Sequence, residues 1–325
     1  MEEASQACVI ERRPAAGGKP SVTYRYAGDR YLLAEYGEMD FDLTLNFIVQ
    51  AVDGALQRTP FEGLIEAAPG FRSILVSYEP RLCRLPDLIE HLDRIYDGIP
   101  DEKSLVIPSR RIYLPIAFDD SQTREAVTRY AQLIRADAPN VEGGTNVDYT
   151  VRYNGFSDRE ELYAAVLGAE LWTAFIGFFP GLPFMFPLDP LRFIFVPKYN
   201  PTRTWTPEGA VGIGGPCYSI YPVESPGGYQ LIGRTLPIYD LRQRNSAFKS
   251  DPILVRPADR IVFHRVSEQE LLDGFADVHA DRYQYHIEDA PFDVSAYLAY
   301  LERIRPEAEA WRHAREEAAQ RTPVA

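Results

Sequence analysis

Apolar and polar residues in the first third of the chain follow two periods, one typical of strands and one typical of helices. Two stretches, 23–37 and 63–80, alternate with a period near two, which indicates half-buried strands. Two others, 40–57 and 85–99, repeat apolar residues at helical spacing. This order predicts a small, sandwich-like α+β domain over residues 23–108.

A second group of elements begins with a strand-like run at 110–119 and a helix-like run at 123–138. The sequence SDRE at 157–160 is a capping-box pattern, in which a hydroxyl and a carboxylate satisfy the free amides at a helix start. It predicts a helix that begins near Asp158 and continues through the apolar run 161–175.

The rest of the chain changes character twice. From Gly177 to Phe263, short β-prone pieces are separated by proline and glycine, which is typical of a barrel or a sandwich. We assign this barrel domain to residues 109–265. Residues 266–325 have a helical pattern and are increasingly charged, so they predict a helical C-terminal tail. Residues 1–22 are polar and without a period, which predicts a flexible arm.

Composition and charge narrow the function. Apolar residues make up 46% of the 325-residue chain, enough to bury a core, so a disordered protein is excluded. The formal charge of -13 and the pI of 5.0 disfavour nucleic acid and anionic membrane surfaces as partners. Three separated cysteines give no disulfide framework, and the chain has neither a secretory signal nor an apolar run of about 18 residues. We therefore expect a soluble cytoplasmic protein.

Signatures of several common enzyme classes are missing from the sequence. It has no GxGxxG after a strand, no GxxxxGK[ST] phosphate loop, no HExxH and no GxSxG. The five histidines do not pair with carboxylates at ligand spacing, so no metal site is predicted. The aromatic stripe between Phe175 and Phe186 favours a core or a partner surface over a site for a planar ligand.

The residues best suited to binding or reacting with a ligand lie between Val196 and Thr235. Lysine and arginine there supply fixed positive charge for a carboxylate or an oxyanion. Glycine pairs let backbone amides approach a ligand closely. The alternative is that glycine and proline only turn barrel corners, that Glu224 caps a turn and that the arginines pair with surface carboxylates. The cationic residues are Lys198, Arg203 and Arg234, and the glycines are Gly214, Gly215, Gly227 and Gly228.

The same block carries a resemblance to a known family. The words KYNPTRTWTPEGAVGIGG and YPVESPGGYQLIGRT resemble the carboxyltransferase subdomain C and D family, which includes allophanate hydrolase subunit 1 and the B subunit of 5-oxoprolinase. GDRYLLAEYG, RIYLPIAFDD and FIGFFPGLPFMFPLDP occur in the family's order, so the resemblance runs from about Tyr24 to Phe263. The tail word YHIEDAPFDVSAYLAYL is similar to the matching part of urea carboxylase.

The resemblance implies a fold and a reaction. Family members join an N-terminal α+β domain to a cyclophilin-like β-barrel. They dock with a homologous barrel of subdomains A and B, similar to allophanate hydrolase subunit 2, to form a biotin-dependent carboxyltransferase. The pair moves CO2 from carboxybiotin to a urea-, amide- or lactam-like nitrogen. Other members take part in ATP-dependent opening of 5-oxoproline or inhibit a histidine kinase without catalysis, and both remain alternatives.

Membership of this family would give the block's residues roles. Carboxyl transfer needs a dry pocket, donors for the ureido oxygen and a base for the incoming nitrogen. We expect the glycine-pair amides to be the oxygen donors and Glu224 to be the acid, base or orienting carboxylate. Arg203 and Arg234 are expected to clamp an anion, and Lys198 to orient a carboxylate or carbonyl. The expected pocket walls are Tyr199, Asn200, Thr204, Ser225 and Tyr229.

The chain lacks the means to carry or charge biotin. A biotin-attachment lysine has methionine on each side, and Met1, Met39 and Met185 are not next to any lysine. No ATP-binding glycine loop is evident either. We therefore expect biotin carrier and biotin carboxylase functions on other subunits, and we expect this chain to be inactive alone.

Overall fold

The structure is a computed structural model that describes residues 8–142 and 144–325, without the side chain of Glu102. Within these residues the chain divides into two compact units, and the chain returns to the first unit near its end. The first unit extends to Ser109 and includes Pro291–Tyr300, and the second holds Arg110–Ala290 and Leu301–Ala325.

Helices and strands are interleaved along the described chain. None of the helices in residues 8–142 and 144–325 has the length and apolar character needed to span a membrane. The helices are α1 (Leu43–Arg58), α2 (Leu85–Gly98), α3 (Ser121–Leu133), α4 (Asn146–Asn154), α5 (Arg159–Leu167), α6 (Glu268–His279), α7 (Val294–Arg303) and α8 (Arg305–Arg321). The strands are β1 (Val9–Arg13), β2 (Val22–Tyr26), β3 (Tyr31–Tyr36), β4 (Leu64–Pro69), β5 (Ser73–Tyr78), β6 (Val106–Ile107), β7 (Arg110–Phe118), β8 (Glu170–Ile176), β9 (Pro183–Pro187), β10 (Arg203–Thr206), β11 (Ala210–Gly214), β12 (Cys217–Ile220), β13 (Ser225–Gly227), β14 (Gln230–Arg234), β15 (Arg260–Arg265), β16 (His286–Asp289) and β17 (Phe292–Asp293).

The first unit is built on an antiparallel sheet of order β1-β2-β3-β5-β4. Alternate residues of β3, Leu32 and Ala34, are fully buried, as the period of two predicts. Helix α1 packs on β4, β5 and α2, and it buries Phe47 and Val52. Asp42 caps this helix, because its side chain accepts a hydrogen bond from the Thr44 amide at 2.8 Å. The predicted α+β class is confirmed.

The second unit contains a closed barrel, which in the described chain has seven strands in the order β7-β15-β8-β9-β12-β11-β14. Strand β15 runs parallel to β7, and the other neighbouring strands are antiparallel. Ile112, Leu114 and Ile116 alternate along β7 and enter the core, where they join Ile213 and Ile232. The barrel predicted from the glycine and proline punctuation is confirmed.

The outer edge of β7 is divided between two partners. Its first half pairs with β16, and its last two residues, Ala117 and Phe118, pair with Arg234 and Gly233 of β14 to close the barrel. A Cβ atom at Gly233 would lie 2.3 Å from the Ala117 carbonyl oxygen. The barrel therefore closes at a short seam that needs glycine at residue 233.

The helix predicted near Asp158 forms, but it is shorter than predicted. Asp158 is the cap itself, since its side chain accepts from the Glu161 amide at 2.9 Å. Helix α5 ends at Leu167, and Glu170–Ile176 forms β8, so the prediction of a helix through residue 175 is wrong. The residues from Leu171 to Ala174 are all buried in the barrel wall, and an unbroken apolar run does not distinguish a buried strand from a helix.

Two predictions about the termini are also corrected. Part of the predicted arm, Val9–Arg13, is strand β1, paired with β2 through main-chain hydrogen bonds that require no apolar period. Residues 1–7 of the arm lie outside the described residues. The predicted helical tail contains strands β16 and β17 as well as α6, α7 and α8. Its short strands contain aromatic and charged residues without enough length to show a period.

Candidate functional site

The block from Val196 to Thr235 forms part of the barrel wall and the loop that precedes it. Strands β11 and β12 make a hairpin, and β14 lies on the other side of β11. Strand β10 pairs with β13 in a separate two-stranded sheet. The loop that carries Lys198 is tied to the hairpin by a bridge between Val196 and Gly215, with N–O distances of 2.8 and 3.2 Å.

Arg203 of β10 is buried, with 1% of its surface exposed. Its Nη1 donates to the Tyr229 carbonyl oxygen at 2.5 Å, and its Nη2 donates to the Thr206 hydroxyl at 3.1 Å. The guanidinium lies 4.5 Å from the centre of the Tyr199 ring, a contact that stabilises a desolvated cation. Its Nε has no hydrogen-bond partner among the described residues. Arg203 thus links β10 to the start of β14 from inside the protein.

Lys198 is the exposed counterpart of this buried cation. Its Nζ lies 5.2 Å from the centre of the Tyr229 ring. Burial raises the pKa of Tyr229, so its phenol stays neutral at physiological pH. No carboxylate in residues 8–142 and 144–325 forms an ion pair with Lys198 or Arg203. Two cations without acidic partners therefore flank one tyrosine, in a chain of formal charge -13.

Tyr199 joins these cations to the barrel interior. Its amide donates to the Gly228 carbonyl at 2.7 Å, and its hydroxyl donates to Asn146 Oδ1 at 2.7 Å. Burial raises the pKa of Tyr199, and the Arg203 guanidinium opposes that rise. The Tyr130 and Tyr199 rings pack edge to face, with 4.5 Å between the ring centres. Tyr199 is therefore held in place through its amide, its hydroxyl and its ring.

The glycines make room for aromatic rings. A Cβ atom at Gly214 would lie 2.3 Å from Tyr229 Cδ1, and one at Gly227 would lie 2.4 Å from the Tyr221 hydroxyl. The Gly215 amide, expected as an oxygen donor, donates to the Val196 carbonyl at 2.8 Å. That amide is thus already satisfied within the protein, in contrast to the expected role.

Arg234 lies in a different environment from Arg203. Its Nε donates to the Glu208 carbonyl at 3.0 Å, and its Nη1 lies 3.8 Å from Asp120 Oδ1. The guanidinium also lies 4.7 Å from the centre of the Phe275 ring. Burial raises the pKa of Asp120, and Arg234 opposes the rise. The structure therefore does not bring Arg234 into contact with Lys198, Tyr199 or Tyr229.

Glu224 is exposed in the turn before β13. A second carboxylate that sequence reasoning did not select, Glu208, lies close enough for the two charges to repel. Burial raises the pKa of Glu208, Arg234 lowers it, and Glu224 contributes a further rise. Glu208 is half-buried, and burial is the main cause of its raised pKa.

The remaining predicted wall residues divide by exposure. Asn200 and Thr204 are exposed, and the Asn200 carbonyl accepts from Arg135 at 3.0 Å. Ser225 is buried opposite Thr206 in the β10–β13 pair, and its hydroxyl has no partner in the described part of the chain. The candidate site consequently has an exposed rim around Lys198 and a buried base around Arg203.

Sequence reasoning missed three buried amide side chains that are linked to this site, directly or through one another, by hydrogen bonds. Asn140, Asn146 and Gln230 are each at most 1% exposed. A signal existed for α4, because Thr145 caps it and Gly155 ends it with a φ of 66°. The signal for Gln230 was weaker, because it consisted only of a polar residue between Tyr229 and two apolar residues. Nothing in the described residues groups His, Cys, Asp or Glu in a way that could hold a metal ion.

Comparison with known proteins gives a consistent result. Residues 22–249 match the family described as carboxyltransferase domain, subdomain C and D. Urea amidolyase of Lachancea kluyveri is 38% identical over 288 residues, 87% of this chain and 15% of that protein. The B subunit of 5-oxoprolinase from Bacillus subtilis is 28% identical over 253 residues, 77% of this chain and 96% of that protein. The crystal structure of Kluyveromyces lactis urea carboxylase has 33% identity and a TM-score of 0.84, covering 96% of this chain and 28% of that one.

The closed barrel and the α+β unit, together with this similarity to urea carboxylase, identify the chain as a carboxyltransferase-type region. The chain belongs to the carboxyltransferase subdomain C and D family, which confirms the resemblance. It spans 15% of the length of the urea amidolyases that it matches.

Proposed function

We propose that this chain is the subdomain C and D part of a biotin-dependent carboxyltransferase that acts on a urea-, amide- or lactam-like nitrogen. Its similarity to urea amidolyase and to urea carboxylase supports this, since it extends over 87% and 96% of the chain. The similarity to urea carboxylase includes most of the tail, which follows the end of the family match at residue 249. A urea-like acceptor is the substrate class that these relatives favour.

The observation that carries the proposal is the unpaired positive charge at Lys198 and Arg203. An ammonium at the protein surface without an acidic partner is a ready site for a carboxylate, and the buried guanidinium behind it adds to the positive potential. The charge distribution therefore suits an anion bound at Lys198, with Arg203 adding positive potential from the interior. When bound, carboxybiotin supplies the carboxyl group and its negative charge. Lys198 would hold that charge, and Tyr229 would keep water away from one side of it.

The other proposed roles follow from position. Asn200 and Thr204 are exposed beside Lys198 in sequence and would contact the acceptor or the partner. Glu224 remains our proposed acid or base, together with Glu208, whose raised pKa suits proton exchange. We propose that Arg234 acts on Glu208 rather than directly on the anion, because it donates to the Glu208 main-chain carbonyl and opposes the rise in the pKa of the Glu208 carboxyl.

We further propose that activity requires a barrel of subdomains A and B, with biotin carrier and biotin carboxylase supplied by other domains or subunits. The similarity to multi-part relatives supports this, since this chain covers 15% of urea amidolyase and 96% of a relative that is one subunit of 5-oxoprolinase. The exposed rim around Lys198 would be covered by the partner, which would exclude water from the site.

The test is carboxyl transfer by the full chain mixed with a purified subdomain A and B protein. Carboxybiotin labelled with carbon-14 is offered with urea, acetamide or a lactam, and labelled product is counted. Lys198→Ala should lower kcat/KM about 100-fold, as loss of one charge-stabilising donor does. Lys249→Ala is the matched control, because Lys249 is also exposed and donates to the Gln243 carbonyl at 2.8 Å. Equal rates for both variants would remove Lys198 from the site.

A second candidate function is ATP-dependent opening of 5-oxoproline. It is favoured by the match to the 5-oxoprolinase relative, 96% of which this chain covers. The same protein mixture is given 5-oxoproline and ATP without carboxybiotin, and glutamate is measured. Glutamate formation in this assay, together with no labelled product in the carbon-14 assay, would replace the first proposal by this one.

A further inference from the structure

Three buried carboxamides form a continuous chain beneath the loop that carries Lys198. Asn146 Nδ2 donates to the main-chain carbonyl of Asn140 at 3.0 Å, and Asn140 Nδ2 donates to Gln230 Oε1 at 3.1 Å. Gln230 Nε2 then donates to the Pro197 carbonyl at 2.7 Å. The chain thus runs from the start of α4, through β14, to the residue before Lys198.

The residue after Lys198 is fixed by the same chain. Asn146 Oδ1 accepts from the Tyr199 hydroxyl at 2.7 Å and from the Leu231 amide at 3.0 Å. The Tyr199 amide is also engaged, by the Gly228 carbonyl. Lys198 is therefore an exposed residue whose two neighbours in sequence are both tied to the barrel.

One atom of this network carries an energetic cost. Asn140 Oδ1 is buried without a hydrogen-bond partner in the described chain, and an unpaired buried oxygen costs about 1–3 kcal/mol. A buried polar network that is retained despite its cost is suited to holding one precise backbone geometry.

We infer that Asn140, Asn146 and Gln230 are positioning residues that fix the backbone on both sides of Lys198 and so hold its ammonium over the Tyr229 ring. The role assigned to Lys198 rests on the proposed function, whereas the positioning itself does not. None of the three side chains contacts the ammonium. They act through Pro197 and Tyr199.

The experiment follows the Lys198 side chain directly, in the full chain without partner or biotin. The chain has four lysines, so reductive methylation with carbon-13 formaldehyde gives few resonances, and methylation keeps the charge. The Lys198→Arg variant identifies the Lys198 signal by its loss. Because the ammonium lies 5.2 Å from the Tyr229 ring centre, the ring current should displace this signal from that of Lys249.

In Asn146→Ala and Gln230→Ala, the Lys198 signal should move toward the position of a freely exposed lysine. The control is Asn245→Ala, which removes another buried asparagine whose Nδ2 donates to a backbone carbonyl, that of Tyr283, at 2.9 Å. It should lower stability without moving the Lys198 signal. Tyr199→Phe provides a milder variant, because it deletes one hydroxyl and keeps the ring beneath Arg203.

Transfer assays separate this inference from the proposed function. If Lys198 acts in transfer, Asn146→Ala and Gln230→Ala should lower kcat/KM about 10- to 100-fold, as small misplacements of a positioned group do. An unmoved Lys198 signal in Asn146→Ala, Gln230→Ala and Tyr199→Phe would overturn the positioning role, whatever the rates. A moved signal combined with full activity of Lys198→Ala would leave the positioning role intact and remove the proposed function of Lys198.

Discussion

Asp53 in α1 offers a direct test of how burial controls stability in the first unit. Its side chain is 7% exposed, its Oδ2 accepts from Gln57 Nε2 at 2.8 Å, and its Oδ1 has no partner in the described chain. Burial raises the pKa of Asp53 from 3.8 to about 6. The folded protein therefore binds a proton more tightly than the unfolded chain, and this site destabilises the fold as pH rises from about 4 to about 6.

The magnitude follows from the shift. A difference of about two pKa units corresponds to about 3 kcal/mol at pH values above both pKa values. About 1 kcal/mol of this already applies at pH 4.5, so the change between pH 4.5 and pH 8 is about 2 kcal/mol. Asp53→Asn removes the charge but buries an amide, whose cost is the same at both pH values. The stability of the variant relative to the natural chain should therefore rise by about 2 kcal/mol over this range.

Paired urea unfolding curves at the two pH values, followed by circular dichroism, measure this difference. Amide hydrogen exchange of residues 43–58 assigns the change to α1. Asp87→Asn is the control, because Asp87 is on the surface and its hydrogen bond from Arg84 lowers its pKa, so no such rise is expected. A difference between Asp53→Asn and the natural chain that does not depend on pH would show that Asp53 is not a buried acid.

Two further substitutions test the packing of the candidate site. Arg203→Ala should lower the free energy of unfolding by about 3 kcal/mol, because it leaves the Tyr229 carbonyl unpaired and opens a cavity. Arg203→Met fills more of that cavity and should lower it less. Equal losses of stability in urea unfolding would contradict this reasoning. Gly214→Ala should cost about 1–3 kcal/mol through overlap with the Tyr229 ring. Gly98→Ala, where a Cβ meets nothing within 4 Å, should be neutral or stabilising, and a reversed order would refute the packing argument.

Sequence patterns predicted those parts of the fold that have a clear period. The helix at Leu43–Arg58 and the strand at Arg110–Phe118 carry such a period, and both form. The apolar run after Asp158 gave a wrong prediction, a helix where Glu170–Ile176 forms a strand. A fully buried strand has no polar face, so its pattern does not show the period of two. Strand β1 was missed because it is held by its neighbour's backbone rather than by buried side chains of its own.

The candidate site was predictable only as far as one continuous segment contains it. Lys198, Arg203 and Tyr229 belong to one block of the sequence, and the structure brings them together. Asn140 and Asn146 come from a segment more than fifty residues earlier, which only the tertiary fold places beneath that block. Arg203 also shows that residue type alone does not give exposure, because it is among the most buried side chains.

The short seam between Phe118 and Gly233 has a consequence for the order in which the barrel strands pair during folding. These residues are separated by most of the second unit, so this pairing carries a large loop-closure entropy and should form after the local hairpins. Any side chain at residue 233 would act against this later pairing rather than against formation of the hairpins. Such a variant would accumulate as an unrolled sheet whose free edges invite association with other chains.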